Sequence, residues 1–380
     1  MKITDINLAV LDANWGPWIR EWILVRIDTD EGISGLGECA GPADRVSPYL
    51  RAYKELLCGA DPIRVEYLFR SLVSRAYAGF TASHFDSGLA VHAAAGIETA
   101  LLDISGKASG LPVCNLIGGR QRDTVRLYAC VGGLDTYRDM AHVYEELGIS
   151  ILKFDTSPIA AMHIPGGVTG SHLTRKGLKY LQELVVEIRG EAKDAEIALE
   201  GRCGTLTNAM RFMGAIEDQD LAWVEDLLPA TNPGCWATVT AASRTPTLTG
   251  EGLHMRHEFH EYLQRNATRI VAPDFQVCGG ITEGKKIAEM ADLYHLLVAP
   301  HNASSAIGIA AAVHACAAIP NLLALEFHAM PAWDRILRDS GLHIQDGCMA
   351  IPEEPGLGIQ LDEFEAKKYA RGEAGLFVQL

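Results

Sequence analysis

Two patterns of apolar and polar residues divide the 380-residue chain. In the first, KITDINLAVL (2–11) and EWILVRIDT (21–29) read as strands, and GISGLGECA (32–40) follows as a third after a turn at 30–32. Short turns make this an antiparallel sheet. Helical patterns then cover 45–78 and a long Ala/Leu-rich stretch from Ser87 to Gly110, closed by glycine. In the second pattern, short apolar runs without alternation each end in one acid or histidine, and a helical stretch follows. The runs end at Glu200, Glu225, Glu251, Asp274, His301 and Glu326, 23 to 27 residues apart. A βα unit has about that length, since ~250 residues make eight of them in a barrel. Unalternating apolar strands suit a parallel sheet covered on both faces. VRLYACVGG (125–133) and GISILKFD (148–155) read as the first two barrel strands, with a helix over 137–147 between them.

A polar residue that closes such a strand sits at the C-terminal mouth of the barrel, where active sites of this fold lie. One acid there could equally cap the next helix. Six in register point to a site.

Composition narrows the possibilities. A net charge of −15 argues against nucleic-acid and membrane-surface partners. The nine cysteines show no CxxC spacing and lie mostly in apolar patterns, so reduced thiols are expected. MKITDINLAVLD has no signal-peptide pattern and no apolar stretch reaches 18 residues, so a cytoplasmic location is expected.

Glu200, Glu225 and Glu251 on adjacent strands offer oxygen ligands around one point, which suits a hard cation, Mg²⁺ above Zn²⁺. Asp274 and His301 follow, one strand apart; a carboxylate beside an imidazole orients it and strengthens it as a general base. Glu326, if protonated, could meet a developing oxyanion. Lys153 and Asp155 end the second strand on one face, and Lys153 either serves the mouth or snorkels to the rim. Together these groups suit removal of a proton α to a carboxylate. Trp15, Trp18 and Arg20 lie on a Gly/Pro loop and are either core plugs or a lid over a ligand. His92, inside an apolar helix, reads as a core histidine. His254, His257 and His260 read as surface histidines, and His163 and His172 sit on a Pro/Gly-rich insert over 156–174 without an assignable role.

The motifs LLDISGKASGLPVCNLIGG (101–119), ILKFD, IALEG, WVEDLLP, TGEGL, APDFQVCGGITEGKKIA (272–288), APHN, LEFH and PGLGI (355–359) resemble, in order and over nearly the whole chain, the mandelate racemase subgroup of the enolase superfamily. The resemblance implies an α+β capping domain over 1–120, a modified (β/α)7β TIM-type barrel over 121–328, and a segment over 329–380 that returns to the cap. It implies one Mg²⁺ on Glu200, Glu225 and Glu251, an Asp274–His301 acid/base dyad, Glu326 as electrophilic partner, and a homo-oligomer acting on a small carboxylate. Two departures matter. Where the subgroup's second strand usually ends Lys-x-Lys, only Lys153 remains, in the place that contacts the substrate carboxylate, and Asp155 replaces the second base. Glu200-Gly201-Arg202 also lacks the histidine that many acid-sugar dehydratases carry after the first ligand, leaving Arg202 to meet a carboxylate or hydroxyl. One base favours dehydration of a sugar acid to a 2-keto-3-deoxy acid over racemisation. Cycloisomerase or epimerase chemistry with the same groups, and a non-catalytic carboxylate-binding barrel, stay open. Arg202, Asn302, Ser304 and His328 near the mouth suit a polyhydroxylated acid; the tryptophans suit an aromatic one.

Overall fold

Strands β1 (Ile3–Trp15) and β2 (Trp18–Thr29) pair antiparallel, and β3 (Ser34–Cys39) joins β2. The computed structural model describes residues 1–15, 18–78, 87–157, 161–329, 334–338, 341–371 and 375–380; the side chains of 13–15, 18–20, 75–78 and 87 also lie outside the description. The two strands run further into the expected loop than the sequence suggested, with Trp15 paired to Trp18. The side-chain roles expected of Trp15, Trp18 and Arg20 lie outside the described residues.

Period-two geometry gives this sheet two buried faces. Ile6, Leu8, Ile23, Val25 and Ile27 pack into a core with helices α1 (Ala43–Leu57), α2 (Val65–Ala78) and α3 (Ser87–Ser109). Ala9, Leu11, Trp22 and Leu24 point the other way, into a core continuous with the barrel. The glycines of GISGLGEC have a use here: a Cβ at Gly37 would lie 2.0 Å from the Gly96 carbonyl oxygen of α3, so only glycine lets helix and strand approach so closely.

Eight parallel strands follow: β4 (Thr124–Gly132), β5 (Ile151–Asp155), β6 (Glu196–Glu200), β7 (Trp223–Glu225), β8 (Thr247–Thr249), β9 (Ile270–Val271), β10 (Leu297–Val298) and β11 (Leu325–Phe327). Each pairs with the next from β4 to β10. β11 pairs with β4, and a parallel bridge from Val298 to Leu322 closes the ring. Between them lie α4 (Leu134–Glu146), α5 (Arg175–Glu191), α6 (Leu206–Ala215), α7 (Pro233–Ala242), α8 (Met255–Gln264), α9 (Ile281–Asp292) and α10 (Ala306–Ala317). This is the (β/α)7β arrangement. Tyr128, Ile151, Ala198, Trp223, Leu248 and Ile270 fill the barrel interior as a layer, with Tyr128 edge-on to Trp223. In the 156–174 insert, Val168–Thr169 pairs with His172–Leu173.

Past the barrel, Ile344–Gln345 (β12) and Cys348–Ala350 (β13) form a hairpin, and β13 adds antiparallel to the start of β4. Val378–Gln379 (β14) pairs with Asn7 and Leu8 of β1, so the chain end returns to the first sheet.

Two buried glutamates clamp the cap onto the barrel. Glu38 accepts hydrogen bonds from the Ser305 N–H (3.0 Å), the Ser305 hydroxyl (2.5 Å) and the Gly308 N–H (3.0 Å) at the start of α10. Glu98 of α3 accepts from the Ile281 and Thr282 N–H groups (3.0 Å each) and the Thr282 hydroxyl (2.6 Å) at the start of α9. Helix starts carry unpaired N–H donors and partial positive charge, which carboxylates satisfy. All nine cysteines are free. No helix among the described residues is long and apolar enough to cross a membrane.

Candidate active site

Parallel register sets the ligand-bearing residues level. Asp155 pairs with Glu200, Glu200 with Glu225, and Leu248, three residues before Glu251, with Glu225. Strand twist and the inward-facing period bring Glu200, Glu225 and Glu251 to one side of the mouth. Glu225 is fully buried and Glu200 nearly so, while Glu251 is part-exposed. Burial raises Glu225 well above its ordinary range; Lys153 opposes this, and Glu200 and Glu326 add to it. Burial likewise raises Glu200, against Lys153 and Arg202 and with Glu251 adding. Anionic oxygens crowded in a buried place call for positive charge, and an all-oxygen donor set from three consecutive strand ends fits a hard divalent cation.

Two of the chain's own cations lie against these glutamates. Lys153 Nζ is 2.9 Å from Glu225 Oε1, 2.8 Å from Glu326 Oε1 and 3.9 Å from Glu200 Oε2. The lysine is buried in the mouth, above the Tyr128 ring, and does not snorkel to the rim. Burial disfavours its charge, but Glu225 and Glu326 outweigh that and hold it well above the usual lysine value. Arg202, half-exposed and at φ +32°, sets Nε 3.0 Å from Glu200 Oε1 and Nη2 3.8 Å from Glu251 Oε1. With these cations between them the three glutamates do not gather their oxygens into one tight cluster. Among the described residues, the groups whose ligand atoms all lie within 4.8 Å of one another are Cys130, Glu326 and His328.

Across the mouth, His301 Nδ1 lies 2.7 Å from Asp274 Oδ2, and the Gln276 N–H donates to Asp274 Oδ1 at 2.7 Å. Nε2 of His301 faces Glu251 Oε2 at 3.4 Å and Glu326 Oε2 at 3.7 Å. Burial lowers the imidazole's affinity for its proton, but Glu251, Glu326 and Asp274 together raise it to about 10.

Three sequence expectations change. Burial would raise Glu326, but Lys153, His301 and His328 pull it well below the carboxylate range, so in this arrangement it is an ionised acceptor and not a protonated donor. Asn302 donates through its backbone N–H to Glu326 Oε2 and through Nδ2 to the Glu326 carbonyl, and accepts from the Ser304 hydroxyl. These bonds tie its side chain to Glu326 and Ser304, so its first role in this arrangement is to position Glu326. Asp155 is exposed and accepts the Ser157 N–H at 2.9 Å, closing a local turn. His328 is buried with Nε2 3.6 Å from Glu326 Oε1.

A cavity of about 610 Å³ lies between cap and barrel, lined by Glu21, Trp22, Glu38, His92, Glu251, His254, Asp274 and His301 among others. The sequence reading placed His92 in the core and His254 on the surface; both instead face this cavity. No local pattern marks them, because one comes from α3 and the other from the loop after Glu251. Asp226 was also passed over. It follows Glu225 at φ +45°, accepts the Thr249 hydroxyl at 2.7 Å, and is raised to about 7 by burial, Glu251 and Glu200.

The comparisons with known proteins agree with this architecture. Residues 19–118 match the mandelate racemase / muconate lactonizing enzyme N-terminal domain, and residues 135–365 match the enolase C-terminal domain-like family. A D-xylonate dehydratase of Haloferax volcanii is 35% identical over 376 residues, covering 95% of this chain and 87% of that protein. A D-galactonate dehydratase of Variovorax paradoxus is 30% identical, covering 90% of this chain and 89% of that protein. A mandelate racemase/muconate lactonizing enzyme-like protein from Rubrobacter xylanophilus superposes with a TM-score of 0.89 at 32% identity, over 99% of both chains. With its cap, its barrel and its mouth of strand-end acids, the chain belongs to the mandelate racemase/muconate lactonizing enzyme family of the enolase superfamily.

Proposed function

We propose that the chain is a Mg²⁺-dependent hydro-lyase that removes water from a sugar acid to give a 2-keto-3-deoxy acid. The observation that carries this reading is the Asp274–His301 pair, whose Nε2 faces the glutamate-lined side of the same cavity. Glu200, Glu225 and Glu251 would hold the cation, which when bound supplies positive charge opposite the charge that builds on the substrate carboxylate. Lys153 lies beside that place and adds to the positive field.

His301 gives its Nδ1–H to Asp274; in the metal-free arrangement the facing glutamates also keep Nε2 protonated, and a cation held by Glu251 would offset that charge and free the Nε2 lone pair to take the α-proton. The Cβ–O bond then breaks, the hydroxyl leaves with a proton as water, and the enol becomes the ketone. Asp155, turned to the Ser157 N–H, supplies no second base on the other face, which supports elimination over inversion. Relatives named for D-xylonate and D-galactonate dehydration support a sugar acid as substrate.

The test is ¹H NMR of the Mg²⁺-loaded protein in D₂O with a panel of mono- and diacid sugars. Release of a 2-keto-3-deoxy acid that His301→Asn abolishes supports the reading. Cyclisation or inversion without loss of water overturns it.

A further inference from the structure

Strands β4 and β11 meet where the barrel closes. Their parallel register pairs Glu326 with Tyr128 and Phe327 with Ala129, which sets His328 level with Cys130. Successive side chains of a strand alternate between its faces. Tyr128 fills the barrel interior, so Glu326 shares that face, and Cys130 and His328 follow on it one step nearer the mouth. The result is a sulfur, an oxygen and a ring nitrogen whose ligand atoms all lie within 4.8 Å of one another. Glu326 and His328 are buried and Cys130 is part-buried. In a tetrahedral Zn²⁺ site, with bonds of about 2.0–2.3 Å, neighbouring ligand atoms sit roughly 3.3–3.6 Å apart. His328 Nε2 is already 3.6 Å from Glu326 Oε1. Closing the edges to sulfur takes side-chain rotation of roughly 1 Å at most.

Donor type separates this place from the other side of the mouth. Glu200, Glu225 and Glu251 offer oxygen alone, which suits Mg²⁺. A thiol and an imidazole beside one carboxylate suit a softer ion, Zn²⁺ above Mg²⁺. Burial pushes the Cys130 thiol up to about 12, against Lys153, so without a metal the sulfur keeps its hydrogen and a bound cation must displace it. Lys153, 2.8 Å from Glu326 Oε1, is a neighbouring positive charge. Zn²⁺ held by a thiolate, a carboxylate and a neutral imidazole is a neutral unit, so Lys153 meets no added charge there and keeps Glu225 at 2.9 Å.

We propose that Cys130, Glu326 and His328 form a Zn²⁺ site, separate from the three glutamates, whose occupation inhibits the enzyme. The sulfur–hydrogen bond breaks, the proton goes to solvent, and the sulfur pair forms the bond to Zn²⁺. No electrons are gained or lost, and a water completes the fourth position. Glu326 then gives Oε1 to the cation. Its charge no longer balances Lys153 or stands opposite His301 Nε2, 3.7 Å from its other oxygen. Turnover therefore falls while Mg²⁺ stays bound. The binding site stands on geometry and donor type; the inhibition rests on the dehydratase reading above.

The experiment titrates the full-length protein, in excess Mg²⁺, with Co²⁺ as a coloured stand-in for Zn²⁺. A thiolate bound to Co²⁺ gives a charge-transfer band in the near-ultraviolet, which oxygen ligands do not. The wild-type protein is expected to show this band and to lose it when Zn²⁺ displaces Co²⁺. Cys130→Ser should lack it, His328→Gln should weaken Co²⁺ binding at least about tenfold, and Glu251→Gln should keep the affinity within about twofold. In a parallel assay on D-xylonate and D-galactonate, Zn²⁺ should slow wild-type turnover about tenfold or more and Cys130→Ser by less than about twofold. No band in the wild-type protein, or a band that persists in Cys130→Ser, overturns the site. A Cys130-dependent band with unchanged turnover overturns the inhibition. Wild-type protein that releases no water from either acid overturns the dehydratase reading, and the band then still decides the site.

Discussion

Asp274 Oδ2 lies 2.7 Å from His301 Nδ1, while its other oxygen is held by the Gln276 N–H. The carboxylate therefore cannot turn away from the ring, and the base nitrogen of His301 is fixed as Nε2. Asp274→Asn keeps the shape but removes the charge that orients the imidazole. A fall of roughly 10²–10³-fold in kcat is expected, with KM and thermal stability little changed. Steady-state kinetics and a melting curve check it; an unchanged kcat refutes the dyad.

Lys153 is the buried partner of both Glu225 and Glu326. Lys153→Met would leave two carboxylates in the barrel mouth without their cation. In metal-free protein this should cost about 3–5 kcal/mol, as breaking a buried pair does. Urea denaturation measures it. A loss below about 1 kcal/mol would place the lysine among weak surface-type pairs.

Arg202 and a divalent cation would compete for Glu200 and Glu251. Arg202→Gln should tighten Mg²⁺ binding several-fold, and Glu225→Gln should weaken it at least about tenfold, because one of three anionic ligands becomes neutral. Isothermal titration calorimetry reads both. Equal affinities in all three proteins would move the cation site elsewhere.

His314 on α10 accepts the Cys114 N–H at 3.4 Å through Nδ1, and its Nε2 lies 3.2 Å from the Leu357 carbonyl. The first contact needs the neutral ring, since Nδ1 must keep its lone pair; in the second Nε2–H donates, which either form of the ring can do. Burial lowers it to about 4, against a raising contact from Leu357. An unfolded histidine takes its proton near 6.5, so between about 6.5 and 4 the unfolded chain binds more protons than the folded one. The stabilisation is complete above pH 6.5 and is lost progressively as pH falls from there to 4, by roughly 3 kcal/mol. Denaturation midpoints across that range check it, and His314→Gln should flatten the slope.

Glu98 reaches from the cap to two N–H groups that start α9. Glu98→Ala would bury those donors without partners, at a cost of about 1–3 kcal/mol. Hydrogen exchange should rise at Ile281 and Thr282 ahead of the rest of the barrel. Uniform exchange would mean that the clamp adds nothing local.

The six strand-ending residues were visible in the sequence because a parallel barrel imposes one spacing and one polarity pattern on every unit. Each run from Ile197 to Glu326 reports its own strand, and the register then sets Glu200 level with Glu225. The third cap strand, read from GISGLGECA after its turn, also had a local cause. Side-chain pairing did not. Whether Glu326 is protonated depends on Lys153, 173 positions away in the chain, and only barrel closure brings them to 2.8 Å.

The sequence by itself determined the eight-fold alternation, the strand-end acids and the family, since those rest on short-range periodicity and on motif order. Tertiary structure alone decided which cation faces which glutamate, that Asn302 serves Glu326, and that His92 and His254 meet across the cap and barrel. The physical reason is that charge and hydrogen bonding act over a few ångströms in space, whatever the separation along the chain. Two histidines 162 positions apart carry no sign of each other until both domains are folded and docked.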